Sequence, residues 1–301
     1  MAKIYVSGLV NTETTVKVRK FPIDYYPIDY PFFGVQTEVS GVAYNVVKAL
    51  NTLGDEVILA SFLGQDMQGD VVEERLKKDG IDLTGIRRVL PQTASSVVLY
   101  DDTGKRQIYC DLKDIQERTY PVDMEKLSGC DLVAACNINF NRELLSAAKA
   151  MGKVIATDVH VLNQVEDEYN RDFLEKADIV FLSDEGLPCE PGEFLWQLHC
   201  RYGNDILVLG RGSKGAMLYD RKENRFYDLP CVPANVVNTV GAGDALFSAF
   251  LHFYGKGMKA VDALWRAQVF ASAKTEVSGA SLGFLTEEAV LDRWERVRKI
   301  F

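Results

Sequence analysis

The run NTVGAGDALF at positions 238–247 contains the residues of this chain whose types and spacing most clearly suit a chemical reaction. The small residues Gly241, Ala242 and Gly243 allow a bound group to approach the backbone closely, and the apolar stretch after them predicts a helix. Backbone N–H groups and the dipole at a helix start attract anions such as phosphate. The carboxylate of Asp244 would repel such an anion, so its place beside the anion site needs a functional reason. The natural reason is that it takes a proton from a hydroxyl that attacks phosphorus.

The same residues also have a simpler interpretation. Gly-Ala-Gly-Asp can be a loop that ends in an Asp N-cap, and short motifs often match by chance. The context favours the phosphate site, because a strand-like run at 231–240 precedes the motif and a long apolar helix at 245–254 follows it. No other phosphate loop competes, since the segment 210–215 has the residue types of a Gly-x-x-x-x-Gly-Lys-Ser/Thr loop at the wrong spacing.

The rest of the chain alternates between apolar runs typical of buried strands and segments with helical spacing. Predicted strands are 4–8, 57–63, 131–135, 154–158, 179–182 and 206–209, and predicted helices are 41–53, 68–78, 142–151, 167–176 and 192–202. This alternation predicts an α/β fold with a mostly parallel sheet covered by helices on both faces. We expect a single domain over residues 1–301, because we find no internal repeat and no low-complexity linker.

Two segments interrupt this alternation and are predicted to form a small β lid, at about 12–40 and 93–112. The first is rich in aromatic residues and proline, and the second alternates around Asp-Asp-Thr-Gly at 101–104, a hairpin signal. Both are expected to be antiparallel strands outside the main sheet. The aromatic residues between 21 and 33 have three interpretations, which are packing in the lid or a dimer, stacking on a substrate ring, and disorder. Their apolar content favours packing.

Composition narrows the function classes. The net charge of −9, with no basic run, argues against a nucleic-acid partner bound through its phosphates. None of the six cysteines shows Cys-x-x-Cys spacing and the three histidines are scattered, so no protein metal site is predicted. No uncharged apolar run approaches the ~18 residues of a membrane span, and the N-terminal residues predict a first strand and not a signal peptide. We therefore expect a cytoplasmic protein without a membrane partner.

Four segments together resemble the ribokinase, or PfkB-type, carbohydrate kinase family over nearly the whole chain. They are the glycine-rich run from 40 to 69, the hairpin at 93–107, the loop LGRGSKG at 209–215, and the run at 238–247. The resemblance implies a ribokinase-like doubly wound sheet sandwiched by helices, with a β lid that often forms a homodimer. It also implies transfer of the γ-phosphoryl group of ATP to an alcohol of a sugar or nucleoside.

The resemblance further implies roles for individual residues. Asp244 matches the catalytic base, and the anion hole matches Gly241, Ala242 and Gly243. Residues on the acceptor side are Asn11, Glu13, Gly41 and Asn45, and residues on the nucleotide side are Ser183, Gly210, Gly212, Gly215, Gln268 and Gly279. Glu13 is equally compatible with a solvated lid residue. Asp158 follows a predicted strand at the sheet edge where ligands bind, and a loop-capping role is an equal alternative.

Two departures from the family pattern concern cations. Asn238 stands where Asp is common, in a segment that helps hold a monovalent cation in some members, so we do not expect potassium dependence. An Asn-x-x-Glu element that organises Mg²⁺ and phosphates is replaced by Ser183 and Gly186, with Asp184 and Glu185 as the nearest substitutes. We expect Mg²⁺ to arrive with ATP and to be held mainly through phosphate oxygens and water.

The leading hypothesis is therefore an ATP-dependent kinase of a small sugar or sugar derivative, with Asp244 as general base. A nucleoside kinase of the same fold is a close variant that the aromatic lid would suit. A non-catalytic sugar- or nucleotide-binding protein stays open because the Asn-x-x-Glu element is altered, although such a protein has no need for Asp244. A dinucleotide-dependent oxidoreductase is disfavoured, because the first strand is not followed by Gly-x-Gly-x-x-Gly.

Overall fold

The computed structural model describes residues 2–301 as thirteen strands and nine helices, with short 3-10 turns between them. The strands are β1 (Lys3–Ser7), β2 (Asn11–Lys17), β3 (Val35–Ser40), β4 (Glu56–Gly64), β5 (Ile86–Leu90), β6 (Ser95–Tyr100), β7 (Arg106–Asp111), β8 (Leu132–Ala135), β9 (Val154–Val161), β10 (Ile179–Ser183), β11 (Ile206–Gly210), β12 (Ala216–Asp220) and β13 (Arg225–Leu229). The helices are α1 (Val42–Leu53), α2 (Met67–Lys78), α3 (Met124–Ser128), α4 (Arg142–Ala150), α5 (Arg171–Lys176), α6 (Pro191–Tyr202), α7 (Ala242–Gly255), α8 (Ala260–Thr275) and α9 (Glu287–Val297).

A nine-stranded sheet with the order β13-β12-β11-β10-β9-β8-β1-β4-β5 forms the centre of the molecule. The seven strands from β11 to β5 in this order are parallel, and β12 and β13 extend the sheet as antiparallel strands at one edge. The predicted α/β fold with a mostly parallel, doubly wound sheet is confirmed. The sequence analysis did not predict β5, β12 or β13.

The side chains of the sheet enter two separate apolar layers, as strand alternation requires. Ile4 and Val6 of β1 join the core under α1, α2, α7, α8 and α9, whereas Tyr5 joins the core under α3 to α6. Both layers contain buried Leu, Ile, Val and Phe side chains, each of which stabilises the fold by about 1.5–3 kcal/mol. Because the seven central strands are parallel, their carboxyl ends lie at one edge of the sheet, between these two layers.

The predicted lid is a second, four-stranded sheet with the order β3-β2-β6-β7. The outer pairs β2–β3 and β6–β7 are antiparallel as predicted, but the central pair β2–β6 is parallel. The expectation of antiparallel strands throughout was wrong at this pair. The reason is connectivity, because β2 follows β1 and β6 follows β5 after short turns, and β1 and β5 point in the same direction.

One predicted strand does not form, and one predicted helix begins later than expected. The run 231–240 forms no strand, and its backbone N–H groups at Val237 and Asn238 donate instead to the carbonyl of Thr275 at the end of α8, at 2.8 and 3.1 Å. Pro233 lacks the N–H that a strand ladder needs, which favours this irregular path. The predicted helix 167–176 begins only after Asn170.

The aromatic segment 21–33 has no regular structure, and its largest side chains lie on the surface. Tyr25 is 88% exposed and Phe33 is 97% exposed. Within the chain these rings make surface contacts, such as Tyr30 stacked on Phe32 with ring centroids 6.2 Å apart and Arg19 over the Tyr26 ring at 4.3 Å, and they do not form a buried core of the lid. The alternatives of dimer packing and substrate stacking stay predictions. Among the helices of residues 2–301, none combines the length and apolar character needed to cross a membrane.

Candidate active site

The predicted anion turn, residues 241–243, lies at the start of α7. Gly241 precedes the helix with a φ of 78°, and a Cβ atom on it would lie 2.2 Å from the carbonyl oxygen of Ala280. Only glycine fits this close approach with this left-handed backbone conformation. The Ala242 N–H donates to the Thr239 carbonyl oxygen at 3.2 Å. The next N–H groups of the first turn have no partner within the helix, so the turn has the geometry and dipole of an anion site.

Asp244 lies in the first turn of α7 and contacts the other glycine-rich segment of the chain. The Nδ2 atom of Asn45, a buried residue of α1, donates a hydrogen bond of 2.7 Å to Asp244 Oδ2. The bond joins residues 199 positions apart. The structure thus brings together the predicted base, the anion turn and one predicted acceptor-side residue.

The electrostatic surroundings of Asp244 raise the pKa of its carboxyl group to about 6. Desolvation in the protein interior is the main cause, and the negative charges of Asp158 and Glu13 act in the same direction. The hydrogen bond from Asn45 and the neighbouring His160 act in the opposite direction and lower the pKa. A carboxylate with a pKa close to neutral is well matched to proton transfer at physiological pH.

Asp158 and His160 lie near the end of β9 and are neighbours of the anion turn. The Oδ2 atom of Asp158 is 4.0 Å from the Cβ position of Gly243, and its Oδ1 atom accepts a hydrogen bond of 2.8 Å from the His160 N–H. The sequence left Asp158 open between a ligand contact and a loop cap. The hydrogen bond from the His160 N–H is a loop cap, and the ligand contact stays a prediction. Sequence reasoning missed His160, because no local sequence pattern marks it. In the structure it adopts a left-handed backbone with a φ of 62°.

The other residues predicted for the acceptor side lie on the lid and at the start of α1. Asn11 Nδ2 donates to Ser96 Oγ at 3.1 Å, and Ser96 Oγ donates to Glu13 Oε2 at 3.4 Å. Burial, followed by the nearby charge of Glu38, raises the pKa of the Glu13 carboxyl group. Gly41 has a φ of 103° and a Cβ atom on it would lie 2.5 Å from the Leu9 carbonyl oxygen, so backbone packing alone demands glycine there.

A narrow cavity separates the lid from the anion turn. Its lining residues are Glu13, Thr15, Gln36, Glu38, Asn238, Val240, Gly279 and Ala280. Gly279, predicted for the nucleotide side, contacts the lid, because its Cβ position is 3.0 Å from Glu38 Oε2. The buried oxygens Asn11 Oδ1 and Asn45 Oδ1 have no hydrogen-bond partner within residues 2–301. Such buried atoms call for a partner that a bound molecule or water would supply.

The remaining nucleotide-side residues lie along the strands next to β9. Ser183 and Gly210 are aligned at the ends of β10 and β11, on the same carboxyl edge of the sheet as Asp158. Gly212 and Gly215 form the turn into β12, with φ values of 54° and 93°. A Cβ atom added to Gly215 would lie 2.0 Å from the Leu229 carbonyl oxygen, so this close backbone contact explains why the residue is glycine.

Two buried residues of α8 complete this part of the molecule. Gln268 is buried, and its Nε2 atom has no hydrogen-bond partner in the described part of the chain. Lys274 is fully buried and faces Asp244, Glu13 and Glu38, and sequence reasoning missed it. The only available signal was a lysine among the apolar residues at the end of α8. No cluster of three potential metal ligands occurs in the part of the chain that the structure describes.

The nine-stranded sheet covered by helices on both faces, with a four-stranded second sheet, is the ribokinase fold. The family model described as pfkB family carbohydrate kinase matches residues 1–287. The protein belongs to this family, and it is a carbohydrate kinase.

Curated relatives include kinases of sugars and of a nucleoside, and solved structures share the fold. A 5-dehydro-2-deoxygluconokinase from Clostridium perfringens is 26% identical over 91% of this chain and 90% of its own length. A cytidine kinase from Thermococcus kodakarensis is 24% identical over 73% of this chain and 82% of its own length. A microbiome-derived acarbose kinase superposes with a TM-score of 0.87 at 24% identity, covering 98% of this chain and 100% of its own. Arabidopsis thaliana ribokinase, complexed with ribose and ATP, superposes with a TM-score of 0.81 at 23% identity over 98% and 99%.

Proposed function

We propose that this protein transfers the γ-phosphoryl group of ATP to a hydroxyl group of a small sugar or sugar derivative, with Asp244 as the general base. The observation that carries the proposal is the placement of Asp244 directly after the anion turn, held by Asn45 at 2.7 Å. A carboxylate next to an anion site is electrostatically unfavourable, and proton abstraction from an attacking hydroxyl gives it a reason to be there.

Each group at the site has a distinct task in this reaction. Asn45 orients one oxygen of Asp244 and leaves Oδ1 outside that bond to accept the hydroxyl proton. The anion turn donates N–H groups toward the transferring phosphoryl group, and this preorganised donation stabilises its charge. Bound Mg²⁺ would neutralise phosphate charge, and the Asp158 carboxylate beside Gly243 fits a metal that is held mainly through phosphates and water.

A sugar acceptor is supported by the polar groups on the lid side of the site. Asn11 Oδ1 and Asn45 Oδ1 are buried acceptors without partners in residues 2–301, and Glu13 adds a partly buried carboxylate. A molecule with several hydroxyl donors would satisfy such a set of acceptors. The relatives named for gluconate-type, acarbose and ribose substrates are consistent with this class.

A nucleoside acceptor is the second candidate. The exposed aromatic segment 21–33 follows the acceptor-side strand β2, and its rings offer faces on which a base could stack. The relative named as a cytidine kinase supports this alternative.

A panel of acceptors assayed for ADP formation with ATP and Mg²⁺ separates these proposals. Pentoses, hexoses, hexonates, keto-sugar acids and glycosylamines represent sugars, and cytidine, uridine, adenosine and inosine represent nucleosides. We expect turnover with at least one sugar or sugar derivative. Turnover confined to nucleosides would replace the sugar proposal, and ADP formation with none of the acceptors would refute both.

The raised pKa of Asp244 predicts the pH dependence of the reaction. A general base must be ionised, so kcat/KM should fall about tenfold per pH unit below a pKa of about 6. Asn45→Ala removes the hydrogen bond that lowers this pKa, so the acidic limb should move to higher pH. Profiles of kcat/KM between about pH 5 and pH 8 measure both effects. Asn51→Ala, at an exposed position of the same helix, should leave the limb unchanged, and an unshifted limb in Asn45→Ala would contradict the assignment.

We also propose a homodimer formed through the lid. The lid exposes Val35, Ile108 and Tyr109 beside the aromatic segment 21–33, and large exposed apolar residues are enriched at protein interfaces. Size-exclusion chromatography with light scattering should give twice the chain mass, and Phe33→Asp should shift the protein toward the monomer. A monomeric wild-type protein at micromolar concentration would contradict this proposal.

A further inference from the structure

Lys274 is a fully buried cation next to the proposed catalytic centre, and the reaction described above does not use it. It lies in the last turn of α8, and its Nζ atom donates one long hydrogen bond of 3.4 Å to the carbonyl oxygen of Val277. It forms no direct ion pair with any residue that the structure describes. Burying an ammonium group without a paired charge is unfavourable, so its presence calls for an explanation.

The charged groups that face this lysine come from three different elements. They are Asp244 from α7, Glu13 from β2 and Glu38 from β3. Burial lowers the pKa of the Lys274 amine to about 8, while these carboxylates oppose the shift. The carboxylates of Asp244, Glu13 and Glu38 therefore favour the charged form of this buried amine.

The backbone next to Lys274 also contacts both sides of the anion turn. Thr275 accepts hydrogen bonds from the N–H groups of Val237 and Asn238, just before the turn. On the other side, the loop 277–280 brings the Ala280 carbonyl oxygen to 2.2 Å from the Cβ position of Gly241. The hydrogen bond from Lys274 to Val277 ties this loop to the end of α8.

We propose that Lys274 is a positioning residue that acts as an internal, tethered cation of the active site. Its ammonium group holds the loop 277–280 against the anion turn and offsets the negative charge of Asp244 and Glu13. The inference rests on the proposed kinase function. It explains why a buried charge is kept at this place, because an incoming phosphoryl group adds more negative charge to a site that already contains these carboxylates.

The test combines charge removal with replacement of the lost cation. Lys274→Met keeps an unbranched apolar stem, is one atom shorter at the position of Nζ, and removes the charge. We expect kcat, measured with an acceptor from the panel, to fall by about 10²-fold. Ammonium or potassium ions should recover about tenfold of this loss. The wild-type rate should be the same in potassium, sodium, ammonium and choline chloride at equal ionic strength.

Matched controls separate this role from a structural one. Lys259→Met, at an exposed position just before α8, should retain the wild-type rate in every salt. The inference is overturned if Lys274→Met keeps at least half of the wild-type kcat, or if the folded variant loses activity that no cation restores. It is also overturned if potassium activates the wild-type enzyme severalfold. This second test uses only the wild-type enzyme, so it applies even if Lys274→Met does not fold. Failure of the proposed function is distinct, because the wild-type enzyme would then phosphorylate no acceptor.

Discussion

Asp244→Asn is expected to reduce kcat by roughly two to four orders of magnitude and to leave the fold and nucleotide affinity near those of the wild-type protein. The amide oxygen of the new side chain can still accept the hydrogen bond that Asn45 now donates to Asp244 at 2.7 Å. It cannot take a proton from the attacking hydroxyl. Steady-state kinetics measures the loss, calorimetric titration measures nucleotide binding, and thermal unfolding tests the fold.

The matched control for this prediction is Asp262→Asn. Asp262 also lies in the first turn of a helix, at the start of α8, so the change removes a similar helix-dipole interaction away from the site. We expect its kcat to equal that of the wild-type enzyme. Near-normal turnover by Asp244→Asn would remove the proposed base from the mechanism.

Gly241→Ala is expected to lower both the free energy of unfolding and the rate of transfer. The left-handed backbone at a φ of 78° disfavours a Cβ atom by roughly 1–2 kcal/mol. The new atom would also meet the Ala280 carbonyl oxygen at 2.2 Å, so the anion turn or the loop 277–280 must move. Displacement of the N–H donors should reduce kcat by about 10²-fold. Denaturant unfolding and steady-state kinetics measure the two effects.

Gly257→Ala separates the backbone effect from the contact with Ala280. Gly257 follows α7 with a φ of 86°, and no atom lies within 4 Å of its Cβ position. Its replacement should cost only the roughly 1–2 kcal/mol of the left-handed conformation and should leave kcat unchanged. Equal effects of the two substitutions on stability and on kcat would show that the close approach at Gly241 has no catalytic importance.

The sequence predicted the parts of the fold that local patterns encode. Apolar runs such as 131–135 and 206–209 are strands of the parallel sheet because residues of this kind favour a position buried on both faces. The parallel pairing of β2 with β6 was not predictable from either segment, because it depends on the shared direction of β1 and β5. The absence of a strand at 231–240 likewise reflects hydrogen bonds to Thr275, a partner distant in the sequence.

The residues of the candidate site also fall into those that the local sequence predicted and those that it did not. Asp244 and the anion turn are recognisable because their residue types are contiguous in the chain. The places of Lys274 and His160 beside Asp244 depend on neighbours from other elements. The one local signal is a lysine among the apolar residues at the end of α8, and no local pattern marks His160. Gly41 and Gly215 match a family pattern, yet each has a sufficient structural reason in a backbone contact at 2.5 or 2.0 Å from its Cβ position.

Transfer of label from ATP carrying radioactive phosphorus in its γ-phosphoryl group tests the central claim most directly. Wild-type protein, Mg²⁺ and an acceptor from the panel should give one labelled sugar phosphate for each ADP formed. Asp244→Asn, assayed in parallel, should give at most about one hundredth of that rate. Label released only as inorganic phosphate, or label transfer by Asp244→Asn at the wild-type rate, would contradict a sugar kinase that uses Asp244 as its base.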